Sequence, residues 1–337
     1  MQDYKKYKAM RVVSSGEFYM GINDPKSQTG EHPLRKIKYK SFYIDSYPVT
    51  NAEYWEFRRM KWRYRATSEK KGWSWVLSSF VPDDVKEKFA SPVSDVTNYL
   101  PLQPFGPGSD LHEKWNHPVT HVSYDDARIY CNYRGHRLPT EIEWEAAARG
   151  TGVAEDYPWG NMWEKFRMNE WQGGFPEGNL KLDGYESTSP VDAYYPQNHN
   201  YMYDFLGNVW EWTGTQYYER MIPDDLQPQM LVLKGGSYID SRDGSVNMKI
   251  RTSQRKGEEP DHTAGNVGFR CAMNAHHFDI GDAQQQRKSE PKEPAKPKVY
   301  RTPKAKPKEK EAEKNEDGKN FGPPQMGVHP KNPHQEL

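Results

Sequence analysis

Tyr203-Asp204-Phe205-Leu206-Gly207-Asn208-Val209-Trp210-Glu211-Trp212 is the stretch on which the reading of this 337-residue chain turns. Its two tryptophans are separated by one residue, so in an extended segment they share a face and read as core rather than as a ligand platform. Glu211 between them reads as a polar group satisfied by an internal partner. The stretch lies within 157–238, which is rich in Gly, Asn, Pro and Trp and poor in periodicity. So much irregular chain inside a compact domain requires pinning by ligands, metals or side-chain hydrogen bonds.

Outside this region the local signals are clearer. Alternation over 16–21 and 36–44 predicts strands of modest length. Three helices announce their own starts. Thr50 stands three residues before Glu53, Ser123 three before Asp126 and Thr140 three before Glu143, the spacing at which a hydroxyl cap and a carboxylate satisfy each other's amides. Gly150 suits the end of the third helix. His117 and His121 are four apart, but Pro118 and the flanking valines make their segment extended, so the imidazoles read as structural rather than as a metal pair. The return of Gly-Asn-Met-Trp at 160–163 as Gly-Asn-Val-Trp at 207–210 is too short to be a repeat.

Composition bounds the partners. Lys plus Arg and Asp plus Glu both number 47, so bulk charge favours neither nucleic acid nor a membrane surface. No apolar run approaches the roughly 20 residues of a helical span. Aromatic residues make up 13% of the chain, enough for a core pinned by large rings. The two cysteines, Cys131 and Cys271, permit one internal pairing, and composition leaves a disulfide and a reduced pair equally open. Residues 1–9 read as an N-terminal extension, 10–279 as one domain, and 280–337 as a flexible Lys/Pro/Glu tail with almost nothing to bury. Interspersed glutamates give the tail lysines Lys304, Lys306 and Lys308 a solubilising role rather than a polyanion-binding one.

Several separate motifs then converge. Residues 203–212, Arg137-Leu138-Pro139-Thr140-Glu141 with Glu143-Trp144-Glu145, His117-Pro118-Val119 with His121-Val122-Ser123, Pro48-Val49-Thr50-Asn51 and Asn266-Val267-Gly268-Phe269-Arg270-Cys271 occur in order. Together they resemble the formylglycine-generating enzyme, or sulfatase-modifying factor, family over about 10–275. The resemblance implies a single compact α+β domain, distantly C-type-lectin-like, with little regular secondary structure. In that family the active enzyme oxidises a cysteine of a nascent sulfatase to formylglycine, using oxygen, copper and two cysteines of its own.

Those two positions correspond here to Asp240 and Asn247, in a loop about two residues longer. Thiolates are soft copper ligands and exchange disulfides, whereas carboxylate and amide oxygens do neither. The loop Ser237-Tyr238-Ile239-Asp240 with Asp243-Gly244-Ser245-Val246-Asn247 instead resembles the family's non-catalytic branch. That implies a pseudoenzyme without catalytic residues or copper, which associates with itself, with sulfatases or with the active enzyme in the endoplasmic-reticulum lumen and modulates sulfatase maturation. No signal-peptide core opens the chain, but its end, His334-Gln335-Glu336-Leu337, resembles a retrieval tetrapeptide.

The resemblance also implies two structural calcium sites. One consists of Asn169, the Glu170 carbonyl, Asp183 and the Tyr185 carbonyl; the other consists of Asp204, the carbonyls of Gly207 and Val209, and Glu211. Oxygen donors at these positions suit calcium. It implies a Cys131–Cys271 disulfide and, with Thr252 at one position of the second, the loss of another. A peptide groove is implied near Arg251, Arg255, Asp261, Asn266 and Arg270, where guanidinium groups can fork to a carboxylate or a carbonyl. Two other readings are a metal-dependent oxidoreductase of altered chemistry, built on Asp240, Asp243 or a histidine, and a calcium-stabilised lectin-like binding module.

Overall fold

The computed structural model describes residues 10–81, 83 and 110–275, apart from 28, 151–153, 177 and 219–221. They all fall within one compact unit. The extension at 1–9 and the tail at 280–337, with its terminal tetrapeptide, lie outside the described residues.

The chain forms an α+β domain in which short strands and helices frame long connecting segments. Strands β1 (Met10–Val13) and β4 (Phe42–Asp45) pair antiparallel, and β11 (Ala272–Asn274) joins the other edge of β4. Strand β2 (Gly16–Met20) pairs with β3 (Arg35–Tyr39) in a separate ribbon. The alternation over 36–44 is thus two strands in two sheets. Its break falls at Lys40-Ser41, where the Ser41 hydroxyl accepts from the Ser15 amide and the chain passes from one layer to the next.

All three hydroxyl caps form as the spacing predicts. Helix α1 (Asn51–Met60) begins at Thr50, a second short helix, α2, spans Thr67–Lys71, α3 (Tyr124–Tyr133) begins at Ser123 and α4 (Glu141–Arg149) at Thr140. In each of the three, the cap hydroxyl accepts the third-residue amide while that residue's carboxylate accepts the cap amide. Such boxes are fixed by four residues, so they are legible without tertiary context.

The central sheet is β10-β7-β8-β9, with β7 (Trp210–Tyr217) antiparallel to β8 (Met230–Lys234), β8 antiparallel to β9 (Arg255–Glu258), and β10 (Val267–Gly268) parallel to β7. A two-residue ribbon, β5 (Gly173–Gly174) with β6 (Gly178–Asn179), lies in the irregular region. Trp210 and Trp212 are both buried, packed with Tyr54, Phe57, Tyr130 and Phe269. Trp144 and Phe205 anchor a second cluster with Phe42, Ile44 and Ile250. On the opposite face of β7, Glu211 is also buried, and its oxygens accept from Trp144 Nε1 (2.7 Å) and from Arg270 Nε (2.6 Å) and Nη2 (2.7 Å).

Candidate functional site

Three distant segments meet backbone to backbone beside the end of β8. The Asn208 amide donates to the Asn169 carbonyl (2.9 Å), the Tyr238 amide to the Asn208 carbonyl (3.1 Å) and the Gly207 amide to the Gly235 carbonyl (3.1 Å). The approach is close enough to demand glycine. A Cβ at Gly207 would stand 2.4 Å from the Asn169 carbonyl oxygen and one at Gly235 2.4 Å from that of Phe205, and both residues have positive φ. The Asn208 side chain completes the junction, bonding Ser189 through both its amide oxygen and nitrogen and donating to Asp204 (2.8 Å).

The loop after this junction holds Asp240, 3% exposed. Its Oδ2 accepts from the Ser237 amide (2.9 Å), the Ser237 hydroxyl (2.6 Å) and Trp210 Nε1 (2.9 Å), while Oδ1 accepts from the Met248 amide (3.2 Å). Burial raises the carboxyl pKa, and these donors work against that rise. Ser237 also receives the Asn266 side-chain amide (3.0 Å). Asn247 is exposed, has positive φ and donates to the Ile239 carbonyl, so the two degenerate positions close one loop on itself. Asp243 caps the outer turn. Bonds from the Ser245 hydroxyl and amide and the Ser241 hydroxyl hold its pKa down to about 2.

Trp210 therefore does more than pack, a role that its spacing from Trp212 did not reveal. Its indole nitrogen, together with Ser237 and the Met248 amide, makes the cage that receives position 240. The sequence alone gives no sign of the cage, since Trp210 and Asp240 are 30 residues apart.

Both cysteines are consumed elsewhere. Cys131 in α3 and Cys271 just before β11 form a buried disulfide within the cluster that holds Tyr54 and Phe269. A copper-thiolate centre needs thiolate sulfur in the loop, and with both cysteines in the disulfide this chain has none to supply. Among the described residues no three His, Cys, Asp or Glu side chains converge as a metal-holding group. His117 bonds Thr188 (3.0 Å) and His121 bonds Ser74 (2.7 Å), so the two imidazoles are separated in structural roles.

The carboxylates of the two oxygen-donor sets have different surroundings. Asp183 accepts from neutral donors, the Tyr185 amide (3.0 Å) and the Tyr194 hydroxyl (3.3 Å), and burial pushes its pKa up to about 6. Neighbouring Glu170 accepts the Arg242 amide (3.0 Å), and burial takes its carboxyl to about 7. Asp204 is buried with the neutral Asn208 amide as its bonded donor, and burial pushes it up to about 8. Glu211 differs, because its charge is already matched by Arg270.

The arginines expected along a peptide groove are largely engaged inside the protein. Arg270 is fully buried. Beyond Glu211 its guanidinium donates to the carbonyls of Asp45, Ser46, Tyr203 and Asp204, which uses all five of its N–H groups. It is an internal strut rather than a groove residue. Arg251 forks onto Glu31 (2.8 and 2.9 Å), and Arg255 onto Glu141 (2.8 and 3.1 Å). Burial alone would raise the pKa of Glu31, but Arg251 and the hydroxyls of Ser253 and Thr29 outweigh it and lower the value. Asp261 is exposed and paired with Lys71 (2.6 Å), and Asn266 is half-buried beside Ser237.

Comparison with known proteins places these features in a family. The family model for the sulfatase-modifying factor enzyme 1-like domain matches residues 1–275. The chain is 46% identical over 272 residues to the inactive C-alpha-formylglycine-generating enzyme 2 of Bos taurus, covering 79% of this chain and 88% of that one. It is 37% identical over 290 residues to the formylglycine-generating enzyme of Mus musculus, covering 81% and 76%. Among solved structures, PvdO from Pseudomonas aeruginosa superposes with a TM-score of 0.56 at 22% identity over 79% of this chain and 94% of its own, a likeness of fold. With the fold, the motif junction and the family match in agreement, the chain belongs to the sulfatase-modifying factor family and stands with its inactive paralogues, its two cysteines joined to each other and none left for a catalytic pair.

Proposed function

We propose that the chain binds sulfatase polypeptides, or the active formylglycine-generating enzyme, in the endoplasmic-reticulum lumen and modulates sulfatase maturation without performing the oxidation. The observation that carries this reading is the Asp240 carboxylate, buried and held by four hydrogen bonds in the loop where family chemistry requires sulfur. Loss of thiol chemistry leaves the surrounding shape in place, with Asp261 and Asn266 as the groove-side contacts for an extended peptide. The test is capture of a cysteine-containing sulfatase peptide, and separately of the active enzyme, by the purified chain. Retention with the peptide thiol intact by mass spectrometry is expected; conversion of that thiol to an aldehyde in the presence of copper would overturn the reading. Self-association into a homodimer, and retrieval through the terminal His334-Gln335-Glu336-Leu337, belong to the same proposal. So does the division into a domain at 10–279 and a tail at 280–337.

Calcium is proposed as a structural partner at Asn169, Glu170, Asp183 and Tyr185, and at Asp204, Gly207, Val209 and Glu211. The fit rests on half-buried Asp183 and buried Asp204, carboxylates whose bonded donors are neutral and which a cation would compensate. In the second set the cation would rest chiefly on Asp204 and the two carbonyls, since Arg270 already neutralises Glu211. Bound there, calcium would supply charge compensation and tie down the irregular region.

A further inference from the structure

We propose that the exposed end of α1 docks on a lipid bilayer surface that carries anionic headgroups. Residues 58–65 read Arg58-Arg59-Met60-Lys61-Trp62-Arg63-Tyr64-Arg65, with no acidic side chain, a local concentration that the whole-chain balance of 47 against 47 conceals. Arg58 is paired with Glu69. Arg59, Lys61, Arg63 and Arg65 are exposed. Among them Met60 is 66% and Trp62 74% exposed, and the exposed rings of Tyr133, Trp55 and Trp115 extend the surface. Lys61 lies over the Tyr133 ring at 5.6 Å and Arg63 over the Trp62 ring at 4.7 Å.

Helix capping explains part of this. Arg58 and Arg59 occupy the last turn of α1, where cations suit the helix dipole. Capping does not account for a tryptophan and a methionine held out in water, nor for the basic residues beyond the helix end. The support beneath is firm. Tyr54 and Phe57 on the inner face are buried, Tyr64 packs on Phe57 at 5.4 Å, and the Tyr64 hydroxyl donates to Asp126. The end of α1 is therefore a preformed knob in which the five consecutive residues from Arg59 to Arg63 are all exposed.

Positive charge calls for an anionic partner, and the shape favours a lipid layer over an acidic polypeptide. A protruding Met60 and Trp62 would need a complementary groove on a folded partner. The headgroup–acyl boundary instead accommodates aromatic and thioether groups without one, while Arg and Lys stems bury alongside and keep their charges among the headgroups. Glu56, one turn before Met60, is the exposed acidic residue of α1 nearest the basic run.

The test uses the full chain with phosphatidylcholine vesicles, with and without about 30% phosphatidylserine, in flotation assays at low and high salt. Binding to the anionic vesicles alone, weakened by salt, is expected. Arg59→Gln, Lys61→Gln and Arg63→Gln together should lower the partition coefficient about 100-fold, as three near-surface charges are lost. Met60→Ser with Trp62→Ser should lower it about tenfold or more at unchanged charge. All five side chains are exposed, so an unchanged thermal midpoint establishes that each variant is folded. The tail is controlled by Lys304→Gln, Lys306→Gln and Lys308→Gln. The proposal fails if wild type ignores anionic vesicles, if the tail variant loses binding while the knob variants keep it, or if the knob binds soluble polyglutamate but not vesicles.

Discussion

At Asp240 a buried carboxylate gathers four hydrogen bonds. Replacing it with alanine would leave the Ser237 amide and hydroxyl, Trp210 Nε1 and the Met248 amide unmatched together. Asp240→Ala is therefore expected to cost about 2–4 kcal/mol, read as a lower urea midpoint. Asn247→Gly keeps the positive φ free of strain, removes one exposed bond to the Ile239 carbonyl and should cost less than about 1 kcal/mol. An equal cost at the two positions would mean that Asp240 does not organise the loop. Arg270 offers a sharper contrast, because it joins Glu211 to four backbone carbonyls at zero exposure. Arg270→Met leaves Glu211 charged and buried without its partner and should cost about 3–5 kcal/mol, whereas an arginine serving a groove would be replaceable at little cost to folding.

Among the elements, the helices depend on local chemistry and the sheets do not. Thr140→Ala removes the hydroxyl that accepts the Glu143 amide and should cost about 1 kcal/mol in thermal or urea unfolding. The start of α4 was legible for the same reason, since its cap, box and terminal glycine lie within eleven residues. Strand assignment had no such self-contained signal. Residues 36–44 alternate throughout, yet Ile37 pairs with Phe18 and Ile44 with Arg11, and only those partners reveal that the run divides. Likewise, the resemblance that singles out Asp240 carries no sign of its cage, which Trp210 and Met248 reach from either side of it in sequence. The inward course of Arg270 is not legible from sequence, because Glu211 and the carbonyls that draw it in are 59 or more residues away. The disulfide joins α3 to the segment before β11 across a separation of 140 residues. Its reduction, or a Cys131→Ser and Cys271→Ser double variant, should lower stability by about 3–5 kcal/mol, measured by denaturant unfolding.

Across the whole molecule, buried carboxylates make stability depend on pH, and calcium bound as proposed would couple that dependence to the cation. The folded pKa values of Asp204 (about 8), Glu170 (about 7) and Glu53 (about 7) exceed their unfolded values, so in each case the folded state binds protons more tightly. Each group therefore adds stability as pH falls from about 8 towards 6.5, which is the reverse of the salt-bridged carboxylate case. Below about 6.5 the opposite sign enters through His117, whose imidazole burial depresses to about 3, since the unfolded chain then takes the proton more readily. With chelator present, the urea midpoint should rise between pH 8 and 6.5, by about 1–2 kcal/mol in stability. Calcium should raise the midpoint at pH 8 and flatten that slope, because the cation and the proton compete for Asp183 and Asp204. A midpoint indifferent to calcium at every pH would remove both cation sites from consideration.

The junction of Asn169, Gly207, Asn208, Gly235 and Tyr238 has a consequence for how the molecule opens. Strands of chain that meet amide to carbonyl in this way cannot be peeled off singly, because loosening any one exposes the donors and acceptors of the others. In heavy water the amides of Gly207, Asn208 and Tyr238 should therefore take up deuterium at one shared, slow rate set by cooperative opening, while Gly244 on the outer turn exchanges early.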